Sequence, residues 1–172
     1  MAIKKLDILS IDCDWIRCER TQQDFLSFVI PFLFNNSNIV LAYNHDKIIP
    51  IFEHGYDEYN LYNIDHHHDY AYNDHVNLYE GNWLYHISTV FPKKINYLWI
   101  NNPDSEHPMV ENIRKMHKTL KSYKFDQNIS CIPKQKFDKI FICCSPELEY
   151  SAHFGITAYK IIERIINDKS NK

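Results

Sequence analysis

The sequence predicts an α/β fold, a single domain built on a mainly parallel β-sheet flanked by helices. Short apolar runs of strand length alternate with longer amphipathic stretches, which is the pattern of βαβ units. Of the 172 residues, 45% are hydrophobic, with 12 Tyr and 10 Phe, enough for a packed core and too much for a disordered chain. One domain is the expectation at this length. It is assigned to residues 1–167, with a flexible tail from Asp168 to Lys172.

Leu6–Ile11 is an apolar run of strand length and reads as the first strand. A helix is expected from about Thr21, where Thr21 and Asp24 form a capping box. Its apolar face is Phe25, Phe28, Val29, Phe32 and Leu33 at helical spacing, and Pro31 should kink or shorten it. Next come a strand at Ile39–Tyr43, a short helical piece at Lys47–Phe52 and a strand at Asn60–Ile64. Asp65–Glu80 has no clean period and reads as loop. A helix at Trp83–Phe91 leads to a strand at Ile95–Ile100, and Ser105–Leu120 is polar with helical character. The last strand is Lys139–Cys144, and Tyr150–Ile166 is the closing helix.

Composition removes several classes of function. A formal net charge of −3 lacks the basic surplus of a general nucleic-acid binder. Three glycines (Gly55, Gly81 and Gly155) cannot build a dinucleotide fingerprint or a phosphate-cradling loop. No apolar run approaches the roughly 20 residues of a membrane span, and the N-terminal residues lack a secretory h-region. The five cysteines form no CxxC pair, and Cys143 and Cys144 lie in an apolar run as small buried hydrophobes. A reducing cytoplasm is the expected compartment.

The chemistry collects where predicted strands end. Leu6–Ile11 runs into Asp12 and Asp14; Ile39–Tyr43 into Asn44, His45 and Asp46; Asn60–Ile64 into Asp65, His66, His67, His68 and Asp69; Cys144 into Ser145, Pro146 and Glu147. Parallel sheets place their sites at the carboxyl ends of strands, so these four ends deliver carboxylates and imidazoles to one edge. In an extended segment Asp65, His67 and Asp69 share a face and turn His66 and His68 away; Asp12 and Asp14 share a face likewise. Packing so many such groups without a cation is electrostatically poor. Four carboxylates with His45 and His67 suit divalent ions of the manganese, zinc and iron class, and are enough for two if carboxylates bridge. His54, His75, His107 and His117 read as solvated surface histidines.

Asp65-x-His67-x-Asp69 resembles the Asp-x-His-x-Asp motif of the arginase, agmatinase and histone-deacetylase superfamily. Asp12-x-Asp14, preceded by Ser10, resembles its Ser-x-Asp-x-Asp motif, and His45 its single additional histidine. With Asn82-Trp83 and Ser145-Pro146-Glu147, the combination is similar to the small peptide arginases, from Asp7 to about Tyr150. These convert arginine to ornithine within ribosomally made precursor peptides. The resemblance implies an arginase-like sheet, reduced or permuted because the Asp-x-Asp motif comes first here. It implies two Mn²⁺ ions bridged by Asp12 and Asp65, with Asp14 and His67 completing one site and His45 and Asp69 the other. It further implies Glu147 as the carboxylate that holds the guanidinium, and His86 as the proton donor to the leaving amine. Asp46, His66, His68, Asn82 and Trp83 would support the ligands or the substrate. The partner implied is an arginine-containing precursor peptide, admitted because loops that recognise free arginine's amino and carboxylate ends are missing from so short a chain.

Two rivals carry different expectations. Asp65-His66-His67 also matches the motif of Asp-His-His phosphoesterases, manganese enzymes with an early Asp-x-Asp. Those usually carry an extra upstream His and a separate Gly-rich domain; Ser10 and three glycines do not fit them. The other rival is a metal-stabilised peptide-binding module. A closed structural zinc site favours Cys ligands, and the carboxylate and imidazole set does not match that preference.

Overall fold

The computed structural model describes residues 3–70, 77–78, 80–105, 108–145 and 152–170. Six strands, all parallel, form one sheet among the described residues: β1 (Lys5–Asp12), β2 (Ile39–Ala42), β3 (Glu58–Ile64), β4 (Ile95–Ile100), β5 (Ser122–Asp126) and β6 (Lys139–Cys143). Their order across the sheet is β2-β6-β1-β3-β4-β5. The strand order reverses at β1, which has the last strand on one side and β3 on the other. Ligand sites of open parallel sheets form in the crevice outside such a reversal. The final strand therefore enters between the first two, and β1 and β2 do not pair directly.

Among the described residues four α-helices cover the two faces: α1 (Glu19–Asn35), α2 (Trp83–Val90), α3 (Val110–Thr119) and α4 (Ala152–Ser170). Alternation along β1 explains the division. Leu6 and Ile8 point into a core with Trp83, Leu84 and Met116, whereas Leu9 and Ile11 join Phe25, Val29, Phe32 and Ile162. Thus α2 and α3 pack on one face, and α1 and α4 on the other. The closing helix meets the turn after β1 at Gly155, where a Cβ would lie 2.4 Å from the Cys13 carbonyl oxygen. Only glycine fits there without displacing that turn. No helix among the described residues is long and apolar enough to cross a membrane.

Several boundaries differ from expectation for local reasons. Helix α1 starts at Glu19, because Thr21 is its third residue and accepts from the Cys18 N–H (3.1 Å). It also runs through Pro31 to Asn35; the carbonyl that Pro31 leaves without its helical donor belongs to Ser27, an exposed residue. The piece expected at Lys47–Phe52 is a 3₁₀ helix that begins at His45. Strand β5 was not expected, and α3 is shorter than the stretch Ser105–Leu120. Helix α4 includes Asp168 and Lys169, which the sequence assigned to a tail; Lys169 Nζ donates to the carbonyls of Leu33 and Asn36.

Candidate metal centre

Each carboxylate reaches the centre because a strand ends where it does. Asp12 closes β1, and its Oδ1 accepts the Asp14 N–H (3.2 Å), folding Cys13–Trp15 into a single 3₁₀ turn that brings Asp14 back beside Asp12. Asp65 follows β3. Its Oδ1 accepts the His67 N–H (2.8 Å) and its Oδ2 an Asn63 amide proton (3.1 Å). Asp69 sits in the left-handed region (φ 50°), a conformation that Asp tolerates better than most residues. There its carbonyl accepts the Leu84 N–H (3.0 Å) and its carboxylate the Trp83 indole N–H. The first residues of α2 thus fix Asp69 from both ends.

His45 closes the arrangement from beyond the end of the edge strand β2. Its ring lies between Phe141, nearly parallel at 5.6 Å, and Trp83, tilted at 4.7 Å. Nε2 is 2.8 Å from Ser10 Oγ. Nδ1 faces one oxygen each of Asp12 (3.2 Å), Asp65 (3.0 Å) and Asp69 (3.0 Å), yet has no aligned hydrogen bond to any of them. Ligands adjacent around an octahedral ion with bonds of about 2.1 Å stand about 3 Å apart. Nδ1 stands at that spacing from all three oxygens, and a buried nitrogen lacking a partner beside them fits a cation held by these groups.

A second group adjoins the first. Asp14, Asp65 and His67 offer donor atoms within 4.8 Å of one another, as do His45, Asp65 and Asp69. Asp65 belongs to both, one oxygen turned to each side. His67 Nδ1 lies 3.0 Å from Asp14 Oδ2. A third group of the same kind is Asp12, His45 and Cys143. Cys143 was read from sequence as a core hydrophobe. No motif marks it; the signal is its register opposite Asp12 in the pairing of β1 with β6.

All four carboxylates are buried, and their ion-pairing partners among the described residues are the imidazoles of His45 and His67. Burial, followed by the charges of Asp12 and Asp65, pushes the Asp14 carboxyl well above its ordinary range. Burial and then the Asp69 charge do the same to Asp65. Burial works against charge on Asp12 too, but the close imidazole of His45 and its charge outweigh it and hold this carboxyl low. His67 is pushed up to about 10: burial opposes its charge, and the Asp14 contact overrides burial. Bound dications would favour every ionised carboxylate, and so reverse the upward push on Asp14 and Asp65.

The remaining expected residues fall as follows. His66 turns away, its Nδ1 3.2 Å from Ser105 Oγ, although its N–H donates to Asp14. His68 also turns away, accepting the Tyr70 N–H and packing edge-on against Trp99. Asn82 precedes α2 and donates to the Asn77 carbonyl (2.7 Å). Asp46 pairs with Lys47 and is not in the ligand groups. His86 lies on α2 with Nε2 buried and unpartnered, and no contact among the described residues joins it to the cluster. Glu147 lies outside the described residues. Sequence reasoning missed Asn63 and Trp99, whose side chains hold Asp65; neither stands in a motif. No protein-family profile, curated protein or solved structure matches the chain.

Proposed function

We propose that the chain is a binuclear-metal hydrolase that converts arginine within a precursor peptide to ornithine and urea. The observation that carries this reading is the convergence of His45 Nδ1 with oxygens of Asp12, Asp65 and Asp69 at ligand spacing, next to a second group sharing Asp65. Mn²⁺ is the proposed ion at both positions of this oxygen-rich set. When bound, two such ions supply a nucleophile from water at neutral pH by lowering its pKa.

The chain's own residues bind and orient. Ser10 fixes the His45 ring, Trp83 fixes Asp69, and Asn63 with Trp99 fixes Asp65, so the donor atoms are preorganised. In the proposal Glu147 holds the substrate guanidinium by paired hydrogen bonds. One water is consumed: oxygen adds to the guanidinium carbon, the bond from that carbon to the side-chain nitrogen breaks, and the nitrogen leaves as a protonated amine. Five free cysteines suit a reducing cytoplasm as the compartment.

Incubation of the full chain with Mn²⁺ and an arginine-containing peptide tests the reading. The expected result is urea release with loss of CH₂N₂ from the peptide at arginine. Urea from free arginine alone overturns the peptide substrate, and phosphodiester cleavage without urea favours the phosphoesterase class.

A further inference from the structure

We propose that Cys143 is a thiolate ligand of the ion held by Asp12 and His45, and that its sulfur makes this position select zinc, iron(II) or cobalt over manganese. The inference rests on the binuclear reading above and changes what it says about one of the two ions.

The placement follows from the sheet. Asp12 and Cys143 are register partners across the parallel pair β1–β6, so both side chains leave the sheet on the same face. On that face Cys143 Sγ joins Asp12 and His45 in a group whose donor atoms all lie within 4.8 Å. All three residues are buried. A second observation points independently to a ligand. His45 is 1% exposed, and its Nδ1 is aimed among the carboxylates without an aligned hydrogen bond. Cys144, the next residue, belongs to no such group among the described residues.

The surroundings do not suit a merely apolar side chain. The Cys143 thiol donates a long contact to the Ile11 carbonyl (3.7 Å) and receives the Ser145 hydroxyl (3.6 Å). When the metal binds, the thiol proton passes to solvent and an Sγ–metal bond replaces the contact to Ile11. Thiolate is a soft donor that favours zinc and iron over manganese. The neighbouring group of Asp14, Asp65 and His67 has no sulfur and keeps the preference for manganese. Two unlike positions side by side give a mixed centre.

Loading the full chain with Co²⁺ alone tests this. The wild type should show a near-ultraviolet sulfur-to-cobalt band beside the visible ligand-field bands. Cys143→Ser should lose the first and keep the second, whereas Cys144→Ser should keep both. In competition, Cys143→Ser should lower the preference for Zn²⁺ over Mn²⁺ on the order of tenfold to a hundredfold. Visible bands without the sulfur band, or a sulfur band that survives Cys143→Ser, overturn the proposal and leave the binuclear reading standing. No cobalt bound at all overturns both. Should Cys143→Ser fail to fold, X-ray absorption at the zinc edge of the wild type decides. A sulfur neighbour at about 2.3 Å supports the proposal, and a shell of oxygen and nitrogen only overturns it.

Discussion

Ser10 Oγ stands 2.8 Å from His45 Nε2, and this contact determines which ring nitrogen faces the carboxylates. With Nε2–H donating to the hydroxyl, the lone pair of neutral His45 lies on Nδ1, where a cation needs it. Ser10 thus acts on the centre through His45. Ser10→Ala should weaken metal affinity about 10-fold or more while the fold persists. Equilibrium dialysis against Mn²⁺, with circular dichroism as the control, checks this; unchanged affinity would remove Ser10 from the centre.

Asp65 and His66 are adjacent in sequence and differ in role. Asp65→Asn should abolish hydrolysis and remove at least one ion, since its two oxygens serve both groups. His66→Ala should retain the metal, because its ring is turned to Ser105. Metal content by elemental analysis, measured beside urea release, separates the two; equal loss of metal would place His66 among the ligands.

Chelation should destabilise the protein. Four buried carboxylates with two imidazole partners repel one another once the cations leave, and binding to the folded state alone is folding free energy. The melting temperature of metal-loaded protein should fall after exhaustive chelation and recover on adding Mn²⁺. An identical melting curve with and without metal argues against an integral centre.

Tyr123 gives a pH test outside the ligand groups. Its hydroxyl is buried without a partner, and burial pushes the phenol up to about 12. In the unfolded chain it ionises near pH 10. The folded state therefore holds this proton more tightly. The associated stability is complete below about pH 10 and is lost as pH rises towards 12. Tyr123→Phe should raise stability at neutral pH by about 1 kcal/mol, since it removes an unsatisfied polar group. It should also flatten the alkaline decline. Urea unfolding at pH 8 and pH 11 reads both effects.

The sheet and its functional edge were legible because four strands are apolar runs that stop at Asp, His or Ser. The strand at Ile95–Ile100 has its expected bounds. Strand β5 was not legible. It is a five-residue edge strand, Ser-Tyr-Lys-Phe-Asp, whose alternation of polar and aromatic residues is too short and too exposed to stand out from the polar stretch around it. The side chains around Asp65 and the place of Cys143 were hidden for another reason: they depend on which strands are neighbours. Asn63, Trp99 and Cys143 become meaningful only once β3 lies beside β4 and β6 beside β1.

The position of β6 between β2 and β1 has a temporal consequence. Neighbouring strands sit about 4.8 Å apart, so β1 and β2 are held two spacings from each other by the last of the six described strands. A ribosome releases Asp12, His45 and Asp65 long before Lys139–Cys143. Without that segment β2 has no strand beside it, and the spacing between the ends of β1 and β2 is not set by the sheet. The arrangement of these side chains thus waits on β6, and a chain cut before Lys139 carries them without the strand that sets their spacing.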